Sequence, residues 1–271
     1  MPQSSLIDTI DIEHGREIDR KALDFGDHEG ITRAKILRWL SQFPGDTDLA
    51  IKALRKITYY STSNLRAMTH ELAEMAWQTF SSVQRNRVFY VPMGGPSEGC
   101  SVMARALRDV SGVNPSNIVY MTDLTRLDKS RVGALVFLDV FSGTGNAIKK
   151  WWENNNEILI RPLNVPFAIG LLVMNEKAGL MIGTFCPNVI AVDELMNQSN
   201  VLSDGSYIFE PHEKQRLLHY CTQTRCKSDY LRGYGNCGLL VAFKHGCPND
   251  SLPILWYESN DWEALFKRRG L

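Results

Sequence analysis

A chain of 271 residues, 44% hydrophobic and 22% charged, is long enough for one large domain or for a core with an appendage, and its composition is that of an ordinary globular protein. Its 30 basic and 30 acidic residues cancel, which excludes the broad positive surface of a protein that grips nucleic acid through phosphates. The polar N-terminus, MPQSSLIDTIDIEHGREIDR, lacks the apolar segment of a secretion signal, and the longest apolar run, FAIGLLVM, is strand-sized, so the expectation is a soluble cytoplasmic protein with no membrane partner.

Residues 1–30, rich in both acids and bases, read as irregular. Three helices are predicted next. Ile36, Leu37, Leu40 and Phe43 recur at helical spacing, and so do Leu49, Ala53, Leu54 and Ile57 behind the turn-forming PGDTD. Leu65, Met68, Leu72, Met75, Ala76 and Phe80 make the cleanest stripe, spaced by threes and fours as helix packing requires. Near residue 85 the pattern changes. Strands are predicted at 87–93, 116–123, 133–139, 166–174 and 188–194, with helices at 101–111, from 146, and at 175–185. Strands that are apolar almost throughout and alternate with helices predict a parallel sheet covered on both faces. The expected division is a helical segment over 1–84 and an α/β core over 85–271.

The last third is less regular. A helix is predicted at 210–225, a strand at 237–245, an irregular loop at 246–256 and a short closing helix from Trp262. Six cysteines, Cys100, Cys186, Cys221, Cys226, Cys237 and Cys247, lack the C-x2-C pairs of a structural zinc site and read as buried free thiols. The terminal FKRRGL is the one local basic patch.

The chemistry is expected in two loops that follow predicted strands, because ligands of open parallel sheets sit beyond the carboxyl ends of the strands. In GALVFLDVFSGTGNA, residues 133–147, an apolar run ends on Asp139, and Ser142, Gly143, Thr144, Gly145 and Asn146 follow. A carboxylate at the tip of a buried strand is held rigidly and suits sugar hydroxyls or a ligand-borne Mg²⁺. Glycines let a phosphate approach the backbone, and the helix that begins near Asn146 presents its positive end. The second loop, PMGGPSEG at 92–99, offers Gly94, Gly95, Ser97, Glu98 and Gly99 to a pyrophosphate or another anion.

These residues resemble a phosphoribosyltransferase, in which an apolar strand ends in acids that hold the ribose hydroxyls and a Thr-Gly loop cradles the 5-phosphate. More narrowly the chain is similar to phosphoribosyltransferase-like proteins of bacterial conflict (phage-defence) systems, with N-terminal helices, a DxFSGTGN loop and an H-x-x-PN[ND]-x-LPILW segment. That segment reads HGCPNDSLPILW here, from His245 to Trp256, and the resemblance spans roughly residues 31–268. It implies a parallel α/β sheet of phosphoribosyltransferase-like topology behind an N-terminal helical segment. It implies Asp139 and His245 as catalytic residues, Ser142, Gly143, Thr144, Gly145 and Asn146 as the ribose-phosphate site, and 94–99 as the pyrophosphate loop. Asn249, Trp256 and Tyr234 would face the base, and Mg²⁺ would be held by Asp139 through the ligand. The crevice would be formed by 93–99, 139–146 and 245–256.

The sequence departs from the family pattern in three places. Val140 stands where a second acid is expected, Ala147 where Thr is common, and LTRLDKSRVG leaves little room for the long closing loop of transferring members. The expected reaction makes or breaks a bond at the ribose anomeric carbon of phosphoribosyl pyrophosphate, a nucleotide or NAD, in an antiviral effector held by a regulatory protein or nucleoprotein. The alternatives are a degenerate nucleotide sensor or scaffold, and an S-adenosylmethionine-dependent methyltransferase, whose LDxFxGTG motif the same stretch also resembles, with Glu176 as ribose acid.

Overall fold

The computed structural model describes residues 3–94, 99–110 and 112–268. Two compact units divide the chain, one of residues 1–62 and 197–271 and one of residues 63–196. They do not follow the expected boundary at 84/85. Helix 62–79 belongs with the strands behind it, and the last 75 residues group with the N-terminal helices.

In chain order the first unit opens with α1 (Gln3–Asp24), α2 (Arg33–Leu40), α3 (Thr47–Lys56) and β1 (Thr58–Tyr60). The irregular N-terminus expected from composition is therefore a 22-residue helix. Its apolar stripe is thin, with Ile10 and Ile18 as fully buried anchors, and charge hides it. Arg33 binds both Asp11 and Asp19, and Arg55 binds Glu17, so the polar face is tied to the helices that follow.

The second unit begins within α4 (Thr62–Thr79) and continues through β2 (Val88–Pro92), α5 (Gly99–Leu107), β3 (Ala134–Ser142), α6 (Asn146–Asn155), β4 (Phe167–Asn175), α7 (Glu176–Gly183) and β5 (Val189–Leu195). The four strands make one parallel sheet in the order β2-β3-β4-β5. Each central strand is buried over nearly its whole length, as the unbroken apolar runs demand. On one face Phe89, Phe137, Leu171 and Ala178 share a core with Ile148 and Ile182. On the other, Leu72 of α4 and Val136 and Leu138 of β3 fill the space a side chain at Gly170 would need.

The strand expected at 116–123 is reduced to a single parallel bridge, Tyr90 to Ile118, between short 3-10 turns. Val119 N–H still donates to the Tyr90 carbonyl at 3.0 Å. Its vestige lies on the β2 edge, opposite the later strands. The order therefore reverses between β2 and β3, and their carboxyl ends flank the topological switch point where such sheets bind ligands.

The chain re-enters the first unit at residue 197, with α8 (Pro211–Gln223), β6 (Val241–Phe243) and α9 (Pro253–Trp256). Three expectations change here. The strand predicted at 237–245 shrinks to three residues, because Gly238 at φ +55° and the tight Phe243–Gly246 turn bound it. The loop predicted over 246–256 ends in the short α9, with Pro253 in its first turn. The closing helix from Trp262 is extended and turn structure instead, with Trp262, Leu265 and Phe266 each buried. β6 pairs in parallel with β1, which the sequence did not announce. The core of this unit joins Phe25, Trp39, Phe43, Leu217, Leu255 and Phe266. Each of the six cysteines keeps its thiol, and all but Cys226 are buried.

Candidate functional site

Strand β3 carries the central group. Asp139 pairs with Leu171 of β4 and shares its face with Phe137 and Phe141 by the two-residue period of a strand. The carboxylate is half-buried, and its Oδ1 accepts the N–H of Val140 at 2.8 Å. Val140 turns to the opposite face and is 2% exposed. The missing second acid thus corresponds to a side chain packed in the core, where an unpaired carboxylate would be expensive.

After Ser142, itself buried, the chain leaves the sheet and turns into α6. Gly145 makes the turn possible. Its φ is +78°, and a Cβ there would come within 2.8 Å of the Met181 Cβ and 3.2 Å of the Ala178 carbonyl. The loop therefore rests directly on α7. Among the described residues the backbone N–H groups of Gly143, Thr144 and Gly145 have no hydrogen-bond partner. The Asn146 N–H reaches the Thr144 hydroxyl only at 3.4 Å, and Asn146 is exposed. Gly143 and Gly145 are buried and Thr144 is half-buried, and such a run of unpartnered amides at the head of a ten-residue helix attracts an anion through the helix dipole.

The second loop lies alongside. Met93 N–H donates to the Leu138 carbonyl at 3.0 Å, so β2 delivers Gly94 next to the residue before Asp139. Gly99 opens α5 on the far side of the loop. Gly95, Ser97 and Glu98 lie outside the described residues. Helices α5, α6 and α7 all begin where a strand of this sheet ends, so three positive helix termini lie along one edge.

Two residues of this edge were missed in the sequence. Asn175, 2% exposed, ends β4 and caps α7 by accepting the Lys177 N–H. Asp193 pairs with Val173, which pairs with Phe141, and so lies on the same face as Asp139. The run NVIAVDE carries the same signature as β3, an apolar strand closing on an acid, and would have revealed it.

The other expected residues belong to the first unit. His245 follows β6, stacked on Phe243 with ring centroids 5.5 Å apart. Its Nδ1 is buried without a partner, and burial together with nearby His28 holds its pKa below the usual histidine value. Asp27, the chain neighbour of His28, accepts the Thr62 N–H at 2.6 Å and the Tyr59 hydroxyl. Burial would raise the Asp27 pKa, but these hydrogen bonds and Lys244 outweigh it and leave the carboxyl below its usual value. The carbonyl of Asn249 accepts the Tyr234 N–H at 2.7 Å, and Trp256 is buried with its indole N–H on the Ser251 carbonyl at 2.9 Å. Much of the HGCPNDSLPILW segment is therefore scaffolding. Ser251 bridges both backbone groups of Val241, and Trp39 and Trp262 both donate to the Ile254 carbonyl. The structure brings Asn249, Tyr234 and Trp256 into one unit, and Asp139 with Ser142–Asn146 and Gly94 into the other.

The described residues contain no group of three or more His, Cys, Asp or Glu able to hold a metal ion. One strand-tip carboxylate fits Mg²⁺ only as part of a set completed by ligand phosphates. Among the described residues no helix is long and apolar enough to cross a membrane. A family model described as PRTase-CE matches residues 36–268. No curated protein matches the chain.

Proposed function

The chain belongs to the PRTase-CE family, and from that premise we propose that it acts at the anomeric carbon of a ribose-phosphate compound, phosphoribosyl pyrophosphate, a nucleotide or NAD. The observation that carries this reading is the placement of Asp139 three residues before the end of β3, ahead of the unpartnered amides of Gly143, Thr144 and Gly145 at the head of α6. The Asp139 carboxylate accepts hydrogen bonds from the ribose hydroxyls and fixes the sugar. The amides and the Ser142 and Thr144 hydroxyls take the 5-phosphate.

With the sugar fixed at both ends, the bond from C1 to its leaving group breaks, and the electron pair departs with that group. The acceptor, a base or water, then gives its own pair to C1 and loses its proton to solvent or to a base. A carboxylate near the ring stabilises the positive charge that develops at the sugar. The 93–99 loop takes a leaving pyrophosphate, and Mg²⁺ supplies charge neutralisation when it arrives with the phosphates. The setting suggested by the resemblance is cytoplasmic antiviral defence, with a regulatory protein or nucleoprotein as partner.

Val140, packed where the second acid would stand, favours a second reading, a protein that binds such a ligand without turning it over. One experiment separates the two. Wild type and Asp139→Ala are incubated with Mg²⁺ and phosphoribosyl pyrophosphate, nucleoside mono- and triphosphates, NAD and S-adenosylmethionine, with products read by mass spectrometry and binding by thermal shift. The proposal expects turnover of a ribose-phosphate compound that Asp139→Ala loses while still folding. A shift without turnover supports the sensor. A shift with S-adenosylmethionine alone contradicts both.

A further inference from the structure

The first unit holds a cleft of about 440 Å³ that nothing above uses. Its floor is aromatic. Trp256 is fixed by its indole hydrogen bond to Ser251, Tyr230 meets it edge-on at 5.7 Å and 90°, and Tyr257 meets it at 5.6 Å and 72°. The rim is cationic, with Lys227, Lys267 and Arg268, the guanidinium of Arg268 lying 5.6 Å from the Trp256 ring centre. The one acid in the lining, Glu258, is already engaged by the Ala264 N–H at 3.0 Å. Among the described residues none of the three cations makes an ion pair. Three cations outnumber the single carboxylate of the lining, so the concavity carries a net positive charge that attracts an anion. Trp256 is 2% exposed and backs the wall, so the half-buried Tyr230 and Tyr257 offer the ring surface to a planar group, and arginine adds a cation–π partner.

We propose that this cleft binds a free nucleotide, the base against Tyr230 and Tyr257 and the phosphates held by Lys227, Lys267 and Arg268. The volume suits a mononucleotide, within the range of ordinary ligand pockets of roughly 300–1,000 Å³. Both halves of the ligand are required by the lining. An isolated anion would leave the rings unused, and an uncharged base would leave the cations unneutralised. The site lies wholly within the unit of residues 1–62 and 197–271 and does not rest on the reading of the 139–146 loop.

Calorimetric titration of the full-length chain tests the assignment, with ADP, AMP, adenosine and inorganic pyrophosphate as probes and thermal melting as the check on folding. ADP is expected to bind more tightly than either adenosine or pyrophosphate alone. Lys267→Glu with Arg268→Glu is expected to weaken ADP by roughly tenfold or more, since each reversed charge removes a charge-assisted contact. Lys227→Glu, on an exposed side chain, carries the same test should the double variant melt early. Asp139→Ala is expected to bind ADP as wild type does. Pyrophosphate binding as well as ADP, ADP binding indifferent to all three reversals, or ADP binding lost in Asp139→Ala alone would each overturn the proposal, the last by placing the nucleotide at the sheet edge.

Discussion

The two units organise their polar groups in opposite ways. In residues 63–196 four parallel strands are nearly all apolar, and the polar groups gather toward their carboxyl ends, with Asn175 the last residue of β4 and Asp139 and Asp193 three and two residues before the ends of β3 and β5. In residues 1–62 and 197–271 the polar groups run through the core. Trp39 and Trp262 share the Ile254 carbonyl, Ser251 stitches Val241, and the hydroxyl of the buried Tyr220 reaches Asp46. A sheet concentrates its chemistry at an edge because its backbone satisfies itself. A unit whose sheet is only two short strands uses side chains to satisfy much of its irregular backbone, so a buried polar residue there is structural before it is chemical.

Glycine substitutions sharpen that contrast most. Gly233, at φ +71°, has no room for a Cβ, which would stand 2.1 Å from the backbone carbonyl of Asp250. Gly233→Ala is expected to destabilise by about 4 kcal/mol or more, comparable with the total stability of many domains. Gly145→Ala meets the Met181 Cβ at 2.8 Å and the Ala178 carbonyl at 3.2 Å, a milder overlap that a small shift of the loop from α7 relieves, and is expected to lose about 2–4 kcal/mol in a urea titration. Equal losses would break the distinction between a Cβ driven into a backbone carbonyl and a loop that rests on a helix.

Ser251→Ala comes next. The hydroxyl accepts the Val241 N–H at 3.2 Å and donates to the Val241 carbonyl at 2.8 Å in a fully buried site. Its loss leaves buried backbone groups unpaired, for about 1–3 kcal/mol by the same titration. A neutral outcome would mean that water replaces the hydroxyl and that the stitching is dispensable.

A smaller effect depends on pH. Burial and His28 hold His245 below its usual pKa, so the folded chain keeps it neutral while the unfolded chain takes up a proton below roughly pH 6.5. Stability is therefore full above that pH and falls as pH drops toward the folded value. The urea midpoint of wild type is expected to fall between pH 7.5 and 5.5, and His245→Phe should flatten that slope. Identical slopes would assign it to other groups. Smallest of all, Lys52→Met removes a 2.6 Å pair with Glu213 on side chains 34% and 14% exposed, for about 1 kcal/mol or less, and the loss should shrink in added salt.

The same contrast explains what the sequence disclosed. β2 through β5 and the Gly145 turn were legible because a parallel α/β unit is written in local runs, apolar stretch, glycine loop, helical stripe. The vestigial strand at Ile118 was overestimated because its apolar run buries against β2 through one bridge only. In the other unit the decisive pairings join distant residues, Thr58 with Val241 and Trp39 with Ile254, and no local period records them. α1 was hidden for a related reason. Its helix is held by Arg33 and Arg55 from later segments, while its own sequence shows mainly charge. Of the candidate site, Asp139 and Ser142–Asn146 were legible as a contiguous motif, whereas Asp193 reaches the same sheet face only through the register of three strands.

The central claim is that Asp139 and the 143–145 amides hold one ribose 5-phosphate group. The direct measurement is calorimetric titration of phosphoribosyl pyrophosphate and ribose 5-phosphate, with Mg²⁺, into wild type, Asp139→Asn and Thr144→Val. The account predicts that wild type binds both, that Asp139→Asn weakens both roughly tenfold or more through the lost hydroxyl contacts, and that Thr144→Val weakens both by a smaller factor. Binding that ignores both substitutions, or no binding by a folded wild type, would contradict it.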